Sequence, residues 1–180
     1  ERDGVEFRLN VGLTPVLCEQ LASPLFREGF LGYLENKDRA ALDSEAEFSR
    51  RGDAALASLA SGWRDFYRDV RREFLETWGG DVLGGFRHFE GKGSIGIMTC
   101  AATHGYLPLL GRDTAVQAQI KAGARAHERH FGRPPRGIWL PECAYRPRYA
   151  WSPPAGPRRP AVERKGLDEF LSENGLEFFV

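Results

Sequence analysis

Hydrophobic and polar residues alternate near the start of the chain. The hydrophobic positions are Phe7, Leu9, Val11 and Leu13, and the residues between them are polar or small. Because successive side chains of a β-strand point to opposite faces, this two-residue period predicts a strand with one buried face.

The pattern becomes helical at Ser23 and Pro24, which are typical of a helix N-cap and a first helical position. A second helix is predicted to start at Asp53 and to stop at the Gly79-Gly80 pair. Hydrophobic residues recur at three- and four-residue steps, which predicts one buried face for each helix. These faces comprise Phe26, Phe30, Leu34, Ala41 and Phe48, and then Leu56, Leu59, Trp63, Phe66, Val70 and Phe74. Residues 23–80 are therefore predicted to form a helical insertion.

The second half of the chain alternates short apolar runs with helical segments. Strands are predicted at residues 95–102, 137–140 and 176–180. A helix capped by Asp113 is predicted to end at Gly132, and a short one covers residues 166–174. Five prolines within residues 146–165 predict a loop there. Strand, helix and strand in succession are typical of parallel α/β structure.

The length of the chain limits how much of such a fold it can form. The chain has 180 residues. Outside the insertion about 120 residues carry four strands, whereas a closed (β/α) barrel typically needs about 250 residues. The predicted fold is therefore a partial, TIM-like (β/α) barrel with parallel strands, and residues 1–180 are expected to be a fragment of its catalytic domain.

Composition and charge narrow the classes of function. Hydrophobic residues make up 42% of the chain, and 25 basic residues balance 25 acidic ones to a formal net charge of +0. A globular domain without basic excess offers no electrostatic reason to bind nucleic acid or a membrane surface. Three cysteines do not form a paired disulfide framework, and no signal peptide or membrane span is visible. We therefore expect a cytoplasmic protein with neither nucleic acid nor membrane as partner.

Two segments carry candidate chemistry, residues 99–108 and 137–146, because polar side chains follow a buried strand in each. Glu142 stands at the end of the second strand, between Pro141 and Cys143. A lone buried carboxylate costs several kcal/mol unless it is paired. In parallel barrels the carboxyl ends of the strands hold the catalytic groups. Glu142 is therefore a candidate catalytic residue.

Other residues admit two interpretations each. Cys100, His104 and Cys143 lie at strand ends and could bind zinc, although isolated cysteines in apolar strands are usually small buried hydrophobic residues. His127 shares the apolar face of its helix and is expected to pack inward. In the proline-rich segment, Trp151 and its aromatic neighbour Tyr149 either anchor a loop or form a wall on which sugars stack.

The same segments resemble glycoside hydrolase family 57, and most closely its branch of 1,4-α-glucan branching enzymes. The resemblance rests on residues 10–21, on Ala-Thr-His-Gly-Tyr-Leu-Pro-Leu-Leu, on Trp-Leu-Pro-Glu-Cys and on the tail from residue 146 to residue 180. It implies a seven-stranded (β/α) barrel and a retaining mechanism without cofactor or metal, with an α-1,4-glucan such as amylose or glycogen as substrate. It further implies that Glu142 is the nucleophile and that His104 contacts the sugar. Trp139 and Tyr145 would shape the same subsite.

The family pattern is incomplete in this sequence. Its His-x-His motif would precede Glu1 and its acid/base Asp would follow Val180, so these 180 residues alone are expected to be inactive. Three alternatives stay open. The first is an α-amylase or 4-α-glucanotransferase of the same family, and the second is a glycan-binding barrel without catalysis. The third is a metal-dependent deacetylase, which needs an Asp and two His as ligands.

Overall fold

The computed structural model describes residues 4–157 and 159–180. Its helices are α1 Pro15–Ala22, α2 Pro24–Arg50, α3 Ala54–Arg72, α4 Val82–Gly91, α5 Asp113–Phe131 and α6 Leu167–Glu173. Its strands are β1 Leu9–Gly12, β2 Ile95–Cys100, β3 Gly137–Trp139, β4 Tyr149–Trp151, β5 Val162–Arg164 and β6 Phe178–Phe179. By its internal packing the chain divides into two compact units. One comprises the chain up to Glu19 and from Phe86 onward, and the other is Gln20–Gly85.

The first unit is built on a four-stranded parallel sheet with the strand order β1, β2, β3, β6. Parallel neighbours need a crossover connection, and α5 provides it between β2 and β3 while α6 precedes β6. Cys100 at the end of β2 lies opposite Trp139 at the end of β3. The predicted class, α/β with parallel strands, is confirmed. The closure of these strands into a seven-stranded barrel stays a prediction.

Helix α5 lies directly against the end of β2. A Cβ added at Gly123 would come within 2.1 Å of the carbonyl oxygen of Cys100, so only glycine fits there. The hydroxyl of Thr99 donates a hydrogen bond to the Gly123 carbonyl at 3.0 Å. The helix ends as predicted at Gly132, whose φ is 73°. Its N-cap is Arg112 rather than Asp113, whose carboxylate instead accepts hydrogen bonds from the Arg164 side chain and the Lys165 amide.

A cluster of buried apolar side chains holds the sheet against α5 and α6. Its members are Ala101, Leu107, Val116, Ile120, Ile138, Leu140, Leu167, Phe170, Leu171 and Leu176. Full burial of one Leu, Ile or Phe stabilises a fold by about 1.5–3 kcal/mol. Because Ala101 and Leu140 belong to this cluster, the chain is anchored where it leaves β2 and β3.

The prediction of a loop over residues 146–165 is wrong in part. Strands β4 and β5 pair antiparallel, with Trp151 opposite Val162. None of the five prolines lies within either strand, so both keep their hydrogen-bonding amides. Trp151 is only 6% exposed, and the Arg164 guanidinium lies 5.1 Å from its ring centroid. Trp151 therefore anchors the hairpin and does not offer its ring to a sugar.

The second unit consists mainly of α2 and α3 packed together. The predicted helix starts are present, because Ser23 accepts a hydrogen bond from the amide of Leu25 and Asp53 accepts one from that of Leu56. A π-helical turn, Glu73–Thr77, follows α3. The assignment of residues 23–80 as an insertion within a catalytic domain stays a prediction.

The buried faces predicted for these helices are only partly buried. Leu34 and Ala41 of α2 are covered, but Leu59, Trp63 and Phe66 of α3 are each about half exposed. Periodicity identifies an apolar face, and it does not say what covers that face. Helices α1 and α4 were not predicted, because both are short and α4 contains the helix-weakening pair Gly84-Gly85.

Candidate active site

The candidate site lies in the two loops that follow β2 and β3. Because these strands are parallel neighbours, their carboxyl ends meet at one edge of the sheet. His104 lies in the loop after β2, and Glu142 lies in a short 3₁₀ turn after β3. The sequence prediction that these two residues share an edge of the sheet is therefore met by the topology.

Both loops hold their polar residue in an unusual backbone conformation. Among the described residues, the non-glycine residues with positive φ are His104 (56°), Glu142 (58°) and Cys143 (52°). A left-handed conformation costs a residue with a side chain roughly 1–2 kcal/mol. Such strain concentrates at functional sites, where the surrounding structure holds a residue in a required orientation. All three of these residues lie in the two site loops.

The side chains of these loops face each other. His104 Nε2 lies 3.7 Å from Glu142 Oε1. The Glu142 side chain is 67% exposed, so the expectation of a lone buried carboxylate is wrong. The strand ends at Trp139, and Pro141 turns the chain so that Glu142 projects from the edge of the sheet. Its position and its histidine neighbour, rather than a desolvation cost, mark it as a candidate reactive group.

The second imidazole nitrogen of His104 contacts a buried thiol. Cys100 Sγ lies 3.2 Å from His104 Nδ1, and Cys100 is fully buried. Burial raises the pKa of this thiol to about 11, against a smaller opposing effect of its hydrogen bond with the Ala101 backbone. Cys100 therefore carries a proton at neutral pH. Sequence analysis grouped Cys100 and His104 only as possible zinc ligands, and it did not predict a direct contact between the thiol and the imidazole.

Helix α5 holds the loop between these two residues. The Gln119 side chain accepts a hydrogen bond from the Thr103 amide at 3.0 Å and donates one to the Thr103 hydroxyl at 3.0 Å. The His104 amide donates to the Ala101 carbonyl at 3.1 Å. The orientation of His104 is thus fixed by its own backbone and by a residue that sequence analysis did not single out.

The two predicted aromatic residues flank Glu142 in the sequence and are both exposed. Trp139 ends β3, and its Cβ would lie 4.0 Å from a Cβ added at Gly12, so it faces β1. Tyr145 stacks on Phe179, with ring centroids 5.5 Å apart, and its hydroxyl donates to Asp168 Oδ1 at 2.9 Å. That hydrogen bond is the main cause that raises the pKa of Tyr145.

The carboxylates of α6 are engaged in contacts of their own. Asp168 holds Tyr145, Glu169 pairs with Arg148, and Glu173 pairs with Lys165. A retaining glycosidase needs a second carboxyl group about 5–5.5 Å from its nucleophile. Each of these three α6 carboxylates therefore already bonds to a neighbouring side chain.

The described residues include neither a cluster of metal ligands nor a membrane-spanning helix. Over residues 4–157 and 159–180, no group of three His, Cys, Asp or Glu side chains could hold a metal ion. Cys100, His104 and Cys143 therefore do not form a zinc-ligand group in the described structure. No helix in the described part of the chain is long and apolar enough to cross a membrane.

The decisive comparison is with family models, where the model of glycosyl hydrolase family 57 matches residues 5–180. The chain belongs to this family. The resemblance drawn from the two site motifs is thereby confirmed. This chain is 40% identical to the 1,4-alpha-glucan branching enzyme of Thermococcus kodakarensis over 176 residues, which are 98% of this chain and 25% of that enzyme.

Solved structures of the family match the fold of this chain closely. The crystal structure of the Thermococcus enzyme, in complex with glucose and additives, superposes with a TM-score of 0.85 over 99% of this chain and 31% of that one. The branching enzyme of Pyrococcus horikoshii gives 0.84 at 40% identity, over 99% and 32% of the two chains. The alpha-amylase AmyC of Thermotoga maritima gives 0.83 at 31% identity, over 98% and 31%. This chain therefore spans between a quarter and a third of the length of these relatives.

Proposed function

We propose that this chain carries the nucleophile of a retaining 1,4-α-glucan branching enzyme. The carboxylate of Glu142 attacks the anomeric carbon of an α-1,4-glucan, and the bond to the departing 4-oxygen breaks as an acid protonates that oxygen. A covalent glycosyl-enzyme results. A 6-hydroxyl of a glucan chain then attacks the same carbon, loses its proton to the conjugate base and releases Glu142. The product is an α-1,6 branch, as in glycogen synthesis.

The observation that carries this proposal is the placement of Glu142. The residue is held in a left-handed turn at the carboxyl end of β3, exposed to solvent and 3.7 Å from His104. This placement leaves the carboxylate accessible to a substrate at the edge of the sheet, as a nucleophile requires. The 40% identity to two branching enzymes favours branching as the reaction of this site.

The other site residues take supporting roles in this proposal. His104 contacts the sugar next to the scissile bond. Trp139 and Tyr145 are partly exposed aromatic residues, and aromatic rings complement the C–H faces of a pyranose ring. The glucose in the Thermococcus structure is consistent with a sugar subsite in this family. No cofactor enters this mechanism, because every step is a proton transfer or a displacement at carbon.

The proposal extends to the domain organisation and the setting. Residues 1–180 would be part of a (β/α) barrel catalytic domain, with residues 23–80 inserted as helices. All three cysteines are free, which is typical of a reducing compartment such as the cytoplasm. The partner is an uncharged α-1,4-glucan, which matches the balanced charge of the chain.

A second candidate function is hydrolysis, because the chain is also 31% identical to an alpha-amylase at a TM-score of 0.83. Both reactions use the same nucleophile and differ in whether water or a 6-hydroxyl accepts the glucan. The discriminating assay incubates the complete protein with amylose and measures α-1,6 linkages and new reducing ends. Branching predicts new α-1,6 linkages with few additional reducing ends, whereas hydrolysis predicts reducing ends alone.

Replacement of Glu142 tests the assignment of the nucleophile. Glu142→Gln keeps the shape of the side chain, removes the ionised oxygen and should abolish turnover of amylose while the circular dichroism spectrum is unchanged. Glu128→Gln, on the exposed face of α5, is the matched control and should retain full activity. Substantial branching by Glu142→Gln would refute the assignment.

A further inference from the structure

Three side chains of the candidate site stand in a row, with the imidazole of His104 in the middle. On one side His104 Nδ1 lies 3.2 Å from the sulfur of Cys100. On the other side His104 Nε2 lies 3.7 Å from Glu142 Oε1. The proposed mechanism uses Glu142 and His104, and it leaves the buried thiol without a role.

The chemistry of the two neighbours selects one tautomer of a neutral imidazole. Such a ring has one nitrogen that donates a hydrogen bond and one that accepts. An ionised carboxylate only accepts, so the nitrogen that faces Glu142 is favoured as the donor. Nδ1 is then the acceptor, and the S–H group of Cys100 is the donor that fits it. The opposite tautomer would turn the lone pair of Nε2 toward the carboxylate, which is unfavourable.

We propose that Cys100 is a positioning residue of this site, whose buried S–H donates to Nδ1 of His104 and holds the imidazole in the tautomer with its Nε2–H toward Glu142. The tautomer itself is independent of the reaction, but its catalytic value rests on the proposed function. The thiol keeps the proton that this bond needs, because burial raises its pKa to about 11.

The consequence of this arrangement is a histidine that presents a hydrogen-bond donor to the active face. In the free site its Nε2–H faces the Glu142 carboxylate, 3.7 Å away, and it can donate to a sugar oxygen when glucan binds. The left-handed backbone of His104 and the bond from its amide to Ala101 fix the point at which the ring is attached to the loop. The thiol therefore decides the protonation pattern of the ring rather than its location.

The test compares two replacements of the thiol in the complete protein. Cys100→Ala removes the donor, and Cys100→Ser keeps a donor of similar size. With ¹⁵N-labelled histidine, long-range ¹H–¹⁵N correlation spectra distinguish the two tautomers, and the variant His104→Gln assigns the His104 signals. Cys18→Ala is the matched control, because Cys18 is also a buried thiol but lies in α1.

The expected results separate positioning from packing. The wild-type protein, Cys100→Ser and Cys18→Ala should show the Nε2–H tautomer, and Cys100→Ala should show a mixture with Nδ1–H. A net contribution of the size typical for one hydrogen bond predicts a decrease in kcat/KM for amylose of roughly 3- to 10-fold in Cys100→Ala, with Cys100→Ser close to wild type.

Three outcomes would overturn the inference. One is the Nδ1–H tautomer in the wild-type spectrum, which decides the question even where a variant fails to fold. The others are an unchanged tautomer in Cys100→Ala, or equal losses of activity in the Ala and Ser variants. These failures are distinct from a failure of the proposed function. The spectra read the tautomer without substrate, and Glu142→Gln tests the nucleophile without reference to Cys100.

Discussion

The stability of the first unit should depend on the protonation of a histidine that lies outside the candidate site. His127 is buried in α5, its ring lies 4.8 Å from that of Phe131, and its Nδ1 has no hydrogen-bond partner among the described residues. Burial lowers the pKa of His127 from 6.5 to about 4. The nearby carboxylate of Glu90 opposes this shift, and Arg133 adds to it.

The sign of the pH dependence follows from these two pKa values. Between pH 6.5 and pH 4 the unfolded chain binds a proton at His127 that the folded chain does not bind. The stabilisation is therefore complete above pH 6.5 and is lost progressively as the pH falls toward 4. At pH 5 the linkage relation gives a loss of about 2 kcal/mol, which solvent screening reduces to about 1–2 kcal/mol.

Hydrogen exchange of the α5 amides at pH 7 and pH 5, corrected for intrinsic exchange rates, measures this loss locally. Wild-type amides should lose protection by the stated amount. His127→Leu should flatten the dependence because it removes the titrating group, whereas His88→Gln, at an exposed position, should preserve it. An equal decrease in wild type and His127→Leu would refute the assignment to His127.

Two further predictions concern packing and the position of Tyr145. In thermal melts, Gly123→Ala should destabilise the fold by about 1–3 kcal/mol, because the added Cβ would overlap the Cys100 carbonyl. The control Gly62→Ala places its Cβ in open space on α3 and should stabilise the fold by about 0.5–1 kcal/mol. Asp168→Ala releases the Tyr145 hydroxyl and should raise KM for amylose roughly 3- to 10-fold with little change in kcat. Asp168→Asn keeps an acceptor and should rescue KM, and equal effects of both variants would contradict this role.

Sequence analysis predicted those features that follow from local periodicity. The strands, the helix caps at Ser23 and Asp53, and the parallel α/β class are all visible in the order of residue types. The buried face predicted for the first strand and the burial predicted for the last one are wrong, because β1 and β6 are mostly exposed. Parallel strands place their carboxyl ends together, and this rule was sufficient to bring His104 and Glu142 to one edge of the sheet.

The features that the sequence did not predict depend on pairing, covering surfaces and backbone states that hydrophobic periodicity does not encode. Pairing of β4 with β5 needs two short strands separated by ten residues, and neither strand has an alternation long enough to be recognised. The exposed face of α3 reads as a core face because hydrophobicity along a helix does not identify the covering surface. The Cys100–His104 contact accompanies the left-handed turn at His104, a backbone state that is uncommon for residues other than glycine.

The exposure of Glu142 changes what the rest of the active site must supply. A retaining enzyme uses one ionised carboxylate as nucleophile and one carboxylic acid whose pKa is raised, and their environments must therefore differ. Glu142 is 67% exposed and lies 3.7 Å from a histidine, and the proposed function makes it the nucleophile of the pair. The protonated member then needs a drier environment than this edge of the sheet provides. Under the proposed mechanism, the acid belongs to a part of the site where apolar neighbours or a bound glucan exclude water.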